Sequence, residues 1–279
     1  MRTIVMKTPE RNGGNRNTSR RDIGVKADLT GERILVTGGA RRIGRAIAVA
    51  FASHGASVVV HYRRSRCEAE QLVAELGGAG AGHECVGADL LVKGERDTLI
   101  ANLHSRQRPL TGLVNNASVY RRRPLVECDR NALQQDYEIN FMAPFLLMRD
   151  FAVICEQGQV INLLDQRVAS VEASAGGYAL AKKSLRDATR MAALEWAPAV
   201  RVNAVAPGLV FVPPGVDEEK MKPLLQNVPL RQRTPAEDVA EACVFLAAQE
   251  NVTGHVLFVD GGMHLCRPVV PEVPRGDYC

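Results

Sequence analysis

Short apolar runs alternate with longer amphipathic stretches along most of the chain. An apolar run at 34–36 leads into the glycine-rich TGGARRIG (37–44), and a helical pattern follows over 45–53. SVVVHY (57–62) has the density of a buried strand, and 67–76 has the pattern of a helix. The alternation continues with a strand-like 83–90, a helix-like 95–106, a strand at 112–118 and a long helical region at 131–156. A strand at 159–165, a helix at 178–197, a strand at 200–207, a helix at 235–249 and a strand at 255–262 complete it. Short β-rich runs separated by helices of roughly 10–15 residues need crossover connections, and right-handed crossovers build a parallel sheet. The pattern predicts an α/β fold: a single doubly wound domain with a seven-stranded parallel sheet, spanning residues 30–266.

Composition narrows the picture. With 279 residues, 46% hydrophobic and 24% charged, the chain is an ordinary globular one. No apolar run reaches the ~20 residues that a membrane span needs, so no membrane partner is expected. Residues 1–29 hold seven Lys/Arg and three acids, which is the whole net charge of +4; the rest has 28 of each sign. The charge balance of the body therefore does not suggest a nucleic-acid-binding face, and no nucleic-acid partner is expected. Residues 1–29 read as a flexible basic N-terminal extension, because RNGGNRNTSRR (11–21) has no apolar periodicity. A mitochondrial presequence is the other reading, and no Arg-lined amphipathic helix supports it. Residues 267–279 carry Pro268, Pro271 and Pro274 and form a Pro-rich C-terminal tail, free or laid across a neighbouring subunit. The seven cysteines are scattered without a C-x-x-C pair, which suits a reduced, cytoplasmic setting. The six histidines are dispersed and no metal is implied.

The candidate chemistry starts at the glycine-rich turn. A tight turn between a strand and a helix aims helix N-terminal N–H groups, and the positive end of the helix dipole, at a pyrophosphate. Gly38 gives the turn its backbone freedom, and Gly44 allows close helix packing. The second strand ends in His61-Tyr62-Arg63-Arg64-Ser65. An acid at this place would select a ribose 2′-hydroxyl, whereas two guanidiniums and a hydroxyl suit a 2′-phosphate. The expected cofactor is therefore NADPH, in a Rossmann-like fold. Tyr178 and Lys182, at i and i+4, share one helix face. A phenol of pKa about 10 is a poor acid–base catalyst at neutrality, and a nearby ammonium lowers that value.

These pieces together resemble the short-chain dehydrogenase/reductase family. The matching motifs are TGGARRIG (37–44), ADL (88–90), NNAS (115–118), Asn140 in EINF, Tyr178-x-x-x-Lys182, RVNAVAPG (201–208) and VDGG (259–262). The resemblance implies that Tyr178, Lys182 and Asn140 are catalytic, with Lys182 also holding the nicotinamide ribose and Asn140 kinking its helix and holding a relay water. It implies cofactor contacts at Gly38, Arg41, Arg42, Ile43, Gly44, Arg63, Arg64, Ser65, Asp89, Leu90, Asn116, Ala117, Pro207, Gly208 and Val210. It also implies a homo-oligomer, a tetramer or a dimer.

Three departures sharpen the resemblance. Most of the family has a serine thirteen residues before the tyrosine, and here that residue is Asp165. A carboxylate there disfavours phenolate unless Lys182 compensates, and Asp165, Tyr178 and Lys182 should titrate as a coupled set. It can accept a hydrogen bond from a substrate N–H, which suits a nitrogen heterocycle. Arg42 stands where the family has glycine, and Tyr120 follows NNAS where it could stack on a planar ligand. Together these resemble the pteridine reductases and the dihydromonapterin/dihydrofolate reductases of the short-chain type. The resemblance then implies substrate contacts at Arg42, Ser118, Tyr120, Asp165 and Tyr178, with Asp165 and Tyr178 as the acid pair.

The activity expected is NADPH-dependent reduction of a pterin-type small molecule, dihydropterin or dihydrofolate, to the tetrahydro form. A general NADP-dependent carbonyl or 3-oxoacyl reductase is one alternative, and a catalytically degenerate NADP-binding sensor is another. Arg121-Arg122-Arg123 beside Tyr120 reads either as a solvated rim or as an attractor for an anionic substrate tail. Gly176-Gly177 before Tyr178 predicts a flexible connection over 166–177.

Overall fold

The structure is a computed structural model that describes residues 27–105, 107–171, 175–211 and 225–266. Among these lie seven strands: β1 (Arg33–Val36), β2 (Ser57–Tyr62), β3 (Glu84–Gly87), β4 (Gly112–Asn115), β5 (Gly158–Leu163), β6 (Val200–Pro207) and β7 (Val256–Val259). All pair in parallel in one sheet, in the order β3-β2-β1-β4-β5-β6-β7. The helices are α1 (Arg42–Ser53), α2 (Arg66–Glu75), α3 (Lys93–Leu103), α4 (Arg130–Tyr137), α5 (Ala143–Cys155), α6 (Gly176–Glu195) and α7 (Ala236–Ala248). None among the described residues is long and apolar enough to cross a membrane.

The strands are apolar on both faces because both faces are covered. In β1, Ile34 and Val36 join a core with Ile47 and Phe51 of α1 and Val239 and Val244 of α7. Leu35, between them, points the other way into a core with Ile100 of α3, Leu147 and Phe151 of α5 and Ala192 of α6. Val58, Val59 and Val60 of β2 divide in the same alternating way, as the two-residue period of a strand requires. Leu29 is 4% exposed and packs into the first of these cores, and its N–H donates to the His54 carbonyl. Leu29 belongs to the segment read as the N-terminal extension, and it lies one residue before the expected start of the domain. Residues 1–26 and 267–279 lie outside the described residues.

Four predicted strands overrun at their carboxyl ends. The ladders stop at Gly87, Asn115, Leu163 and Val259 because the next residues leave the sheet to build loops. Asn116 and Ala117, for example, donate their N–H groups to the Thr37 hydroxyl. The long predicted helix at 131–156 is α4 and α5 joined through a π turn, Glu138–Met142. Pro144 has no N–H for the carbonyl four residues back, that of Asn140, so the regular ladder fails there. The strand order reverses between β1 and β4. In a doubly wound sheet the loops at that point enclose a crevice.

Candidate active site

The glycine-rich turn is held from three sides. Thr37 is buried, its hydroxyl donates to the Val114 carbonyl at 3.2 Å, and Asn116 Nδ2 donates to the carbonyls of Thr37 and Gly38 at 2.9 and 3.1 Å. The Gly38 N–H donates to His61 Nδ1 at 3.0 Å, so the ring proton sits on Nε2, 3.0 Å from the Ala88 carbonyl. Burial pushes the His61 pKa down to about 4, against the pull of the Ala88 bond and of Asp89, so the ring is a neutral latch between the turn and the end of β3. Gly38 has φ +61°, and a Cβ at Gly44 would lie 2.2 Å from the Gly38 carbonyl oxygen. Both glycines are therefore required by the local geometry. No side chain caps α1 and no acid lies in its first turn, which leaves its N-terminus suited to an anion.

Arg42 has φ +55°, a conformation that favours glycine, at the position where the resembled family has one. Holding it there costs on the order of 1 kcal/mol. The guanidinium lies 4.8 Å over the Phe211 ring. Arg41 and Arg63 meet acids loosely, at 3.6 Å (Glu68) and 4.0 Å (Asp89). Arg64 is exposed and makes no ion pair among the described residues, and Ser65 is half-buried beside it. Asp89 accepts the Leu91 N–H at 3.0 Å. Leu90 is 4% exposed with its side chain in the core. Ile43 and Val210 pack half-buried on the first core, and Gly208 sits close against Asp260, with its N–H on the Val259 carbonyl. The Ala117 backbone and the Asn116 side chain lie directly against Gly38.

Across the crevice, Asn140 is fully buried and its side chain is fully used. Nδ2 donates to the Asp136 and Val119 carbonyls, and Oδ1 accepts from the Ser118 hydroxyl at 2.7 Å and the Val119 N–H at 3.1 Å. The bond to Asp136 takes up a carbonyl of α4 just before the π turn. Lys182 is 2% exposed and its Nζ donates to the Leu163 carbonyl at 2.6 Å. Burial lowers its pKa to about 8, with Asp165 pulling the other way, so it stays largely charged at neutral pH.

The Tyr178 hydroxyl donates to Asp165 Oδ2 at 3.1 Å. The phenol pKa is raised well above 10, first by burial and then by the Asp165 charge; Arg167 and the Ser118 hydroxyl act against this. Of the two opposing effects expected at the phenol, that of the Asp165 carboxylate prevails over that of the Lys182 ammonium. The ammonium lies 6.0 Å from the ring centroid, engaged by a backbone carbonyl, while the carboxylate touches the hydroxyl itself. Tyr120 stands edge-on to Tyr178, centroids 4.9 Å apart at 80°, and is 44% exposed, so part of the ring is open to a ligand.

The arginine run resolves into neither reading of it. Arg121 and Arg123 reach the buried Asp136 carboxylate at 3.1 and 3.9 Å, tying the loop after β4 to α4, and only Arg122 is exposed. The connection over 166–177 is not wholly loose: Gln166–Val168 forms a 3-10 turn capped by Asp165, and Gly176 and Gly177 are buried in the first turn of α6. Residues 172–174 lie outside the described residues. Three residues at the site carried no role in the sequence reading: His61, Asp136 and Arg167. His61 stood inside a quoted motif, but only the fold shows what its ring touches.

A glycine turn at the reversal of a parallel sheet, facing a buried Tyr/Lys pair, defines a nucleotide-dependent oxidoreductase of the short-chain kind. Residues 38–264 match the family described as enoyl-(acyl carrier protein) reductase, and the chain belongs to this short-chain dehydrogenase/reductase family. It is similar to the solved FolM alternative dihydrofolate reductase 1 from Brucella canis complexed with NADP: 32% identity, 88% of this chain and 97% of that one, TM-score 0.77. It is 34% identical to the 3-oxoacyl-[acyl-carrier-protein] reductase of Synechocystis sp., covering 84% of this chain and 98% of the relative. It is 31% identical to pteridine reductase 1 of Leishmania tarentolae, covering 84% and 96%.

Proposed function

We propose that the protein is an NADPH-dependent reductase of a pterin-type substrate, taking a dihydropterin or dihydrofolate to its tetrahydro form. The observation that carries this is the Asp165 carboxylate hydrogen-bonded to the Tyr178 hydroxyl, where a carbonyl reductase of this family places a serine. The similarity to an alternative dihydrofolate reductase and to a pteridine reductase supports it. The residues present fit the cofactor. The Gly38–Gly44 contact leaves no room for a Cβ inside the turn, the N-terminus of α1 lacks a side-chain cap, and Arg63, Arg64 and Ser65 end β2 without an acid. Arg41, Arg42, Ile43 and the Gly44 end of α1 would hold the pyrophosphate, and Arg63, Arg64 and Ser65 the 2′-phosphate. Asp89 and the Leu90 main chain would border the adenine. Asn116, Ala117, Tyr178 and Lys182 would border the nicotinamide ribose, and Pro207, Gly208 and Val210 its carboxamide. When bound, NADPH supplies the two electrons and the hydrogen that reduce a ring C=N bond.

The chain's own residues supply the rest. Tyr178 gives its hydroxyl proton to the ring nitrogen while Asp165 orients that hydroxyl and accepts a hydrogen bond from a neighbouring substrate N–H. Loss of the proton puts a phenolate beside a carboxylate, two negative charges set against the cations of Lys182 and Arg167. Tyr120 stacks on the ring system, Ser118 borders the substrate, and Arg42 reaches both cofactor and substrate. We extend the reading to a cytoplasmic homo-oligomer, a tetramer or a dimer.

A second reading, reduction of a 3-oxoacyl substrate, is favoured by the similarity to the Synechocystis enzyme. Oxidation of NADPH followed at the nicotinamide band separates the two. Turnover with dihydrobiopterin or dihydrofolate and none with a β-ketoester is expected; turnover with the ketoester alone overturns the pterin reading. Arg64→Asp should weaken NADPH on the order of 100-fold and NADH by no more than about threefold, because it reverses a charge facing only the extra phosphate. Equal losses for both cofactors would remove Arg64 from the phosphate site.

A further inference from the structure

Arg167 closes a ring of contacts around the acid pair. Its backbone N–H donates to Asp165 Oδ1 at 2.9 Å, and its Nη1 lies 3.1 and 3.0 Å from the two carboxylate oxygens. Its Cζ lies 5.2 Å from the Tyr120 ring centroid, over the ring. Tyr120 in turn stands edge-on to Tyr178, and the Tyr178 hydroxyl returns to Asp165. The ion pair is largely shielded, with side chains 17% (Arg167) and 16% (Asp165) exposed. In such a setting the guanidinium charge is felt far more strongly than in water.

We infer that Arg167 is a positioning residue of the reaction: it fixes the Asp165 carboxylate on the Tyr178 hydroxyl and clamps Tyr120 on the same side, so that the proton donor and the stacking ring are set by one side chain. The geometry has a chemical reason. Replacing the family serine by a carboxylate puts a negative charge beside a phenol that must itself become negative when it gives up its proton. The Lys182 ammonium is engaged by the Leu163 carbonyl, whereas Arg167 touches the carboxylate directly. Arg167 is thus the counter-charge that makes aspartate usable at this place. A neutral serine site needs none, which ties the arginine to the aspartate and not to the fold in general. The inference rests on the reading that Tyr178 donates the proton.

The test is a double-mutant cycle in the full-length chain, with Arg167→Met, Asp165→Asn and the pair together, and Arg167→Lys as the conservative control. It uses whichever of dihydrobiopterin and a β-ketoester the wild type reduces, and the NADP+ Kd is measured by calorimetry on the same samples. Arg167→Met should lower kcat on the order of 100-fold with the NADP+ Kd within about twofold, and Arg167→Lys should recover about tenfold of the loss. In the Asp165→Asn background, Arg167→Met should cost no more than about threefold further, since the charge it serves is gone. A kcat for Arg167→Met within about twofold of wild type overturns the inference, as do full additivity with Asp165→Asn and a parallel loss of NADP+ binding. A wild type inert toward both substrates overturns it as well. Tyr178→Phe, run beside these, separates the two levels. If it keeps wild-type turnover, the proton-donor reading itself fails; if it is inert while Arg167→Met is not, only the role of Arg167 fails.

Discussion

Tyr178→Phe lowers kcat by roughly 10²- to 10⁴-fold and leaves the NADP+ Kd within about twofold of wild type. The ring is 5% exposed, and its edge contact with Tyr120 uses carbon atoms that phenylalanine keeps. What is removed is one O–H, the donor to Asp165. The stability cost is small, about 1 kcal/mol, because the carboxylate still receives the backbone N–H and the guanidinium of Arg167. The loss therefore belongs to the transition state, where the ring nitrogen finds no proton. Steady-state rates together with NADP+ calorimetry check this, and turnover within about fivefold of wild type removes Tyr178 as the proton donor.

Gly44→Ala is expected to destabilise the protein by about 2 kcal/mol and to weaken NADPH binding at least about tenfold. In most helices alanine is favoured over glycine by up to about 1 kcal/mol, so the sign depends on the surroundings. Here the new Cβ would lie 2.2 Å from the Gly38 carbonyl oxygen and 2.6 Å from Asn116 Nδ2, and these two groups are hydrogen-bonded to each other. Neither can yield without opening the turn that Thr37, Asn116 and His61 hold together. Gly94→Ala, in α3 where an added Cβ meets nothing within 4 Å, is the matched control and should be neutral or slightly stabilising. Denaturant melts and NADPH titrations of the two variants decide the matter; indistinguishable stabilities would mean that the turn relaxes freely.

Much of the site was legible along the chain because its residues are tied to local geometry. The glycine turn follows a strand and opens a helix, Tyr178 and Lys182 recur one helical turn apart, and Arg63 and Arg64 end a strand. Each such pattern is short enough to be read within one element. Arg167 was not legible, since it lies in a connection without periodicity, and its partners Tyr120 and Tyr178 come from elsewhere in the chain. His61 was hidden for a related reason: as the polar end of an apolar strand, it gives no sign of which ring nitrogen meets Gly38.

The strand and helix periodicity of the chain by itself determined the doubly wound parallel sheet, and its glycine, tyrosine and lysine motifs carried the resemblance to the short-chain dehydrogenases/reductases. Side-chain alternation and helix pitch are local properties, and burial of both sheet faces leaves few ways to assemble them. Only the tertiary structure decided the electrostatics of the site. It put the Lys182 ammonium on a backbone carbonyl and Arg167 on Asp165, and it turned two of three apparently free arginines onto a buried aspartate. A charge acts through distance and desolvation, and both depend on residues far away in sequence.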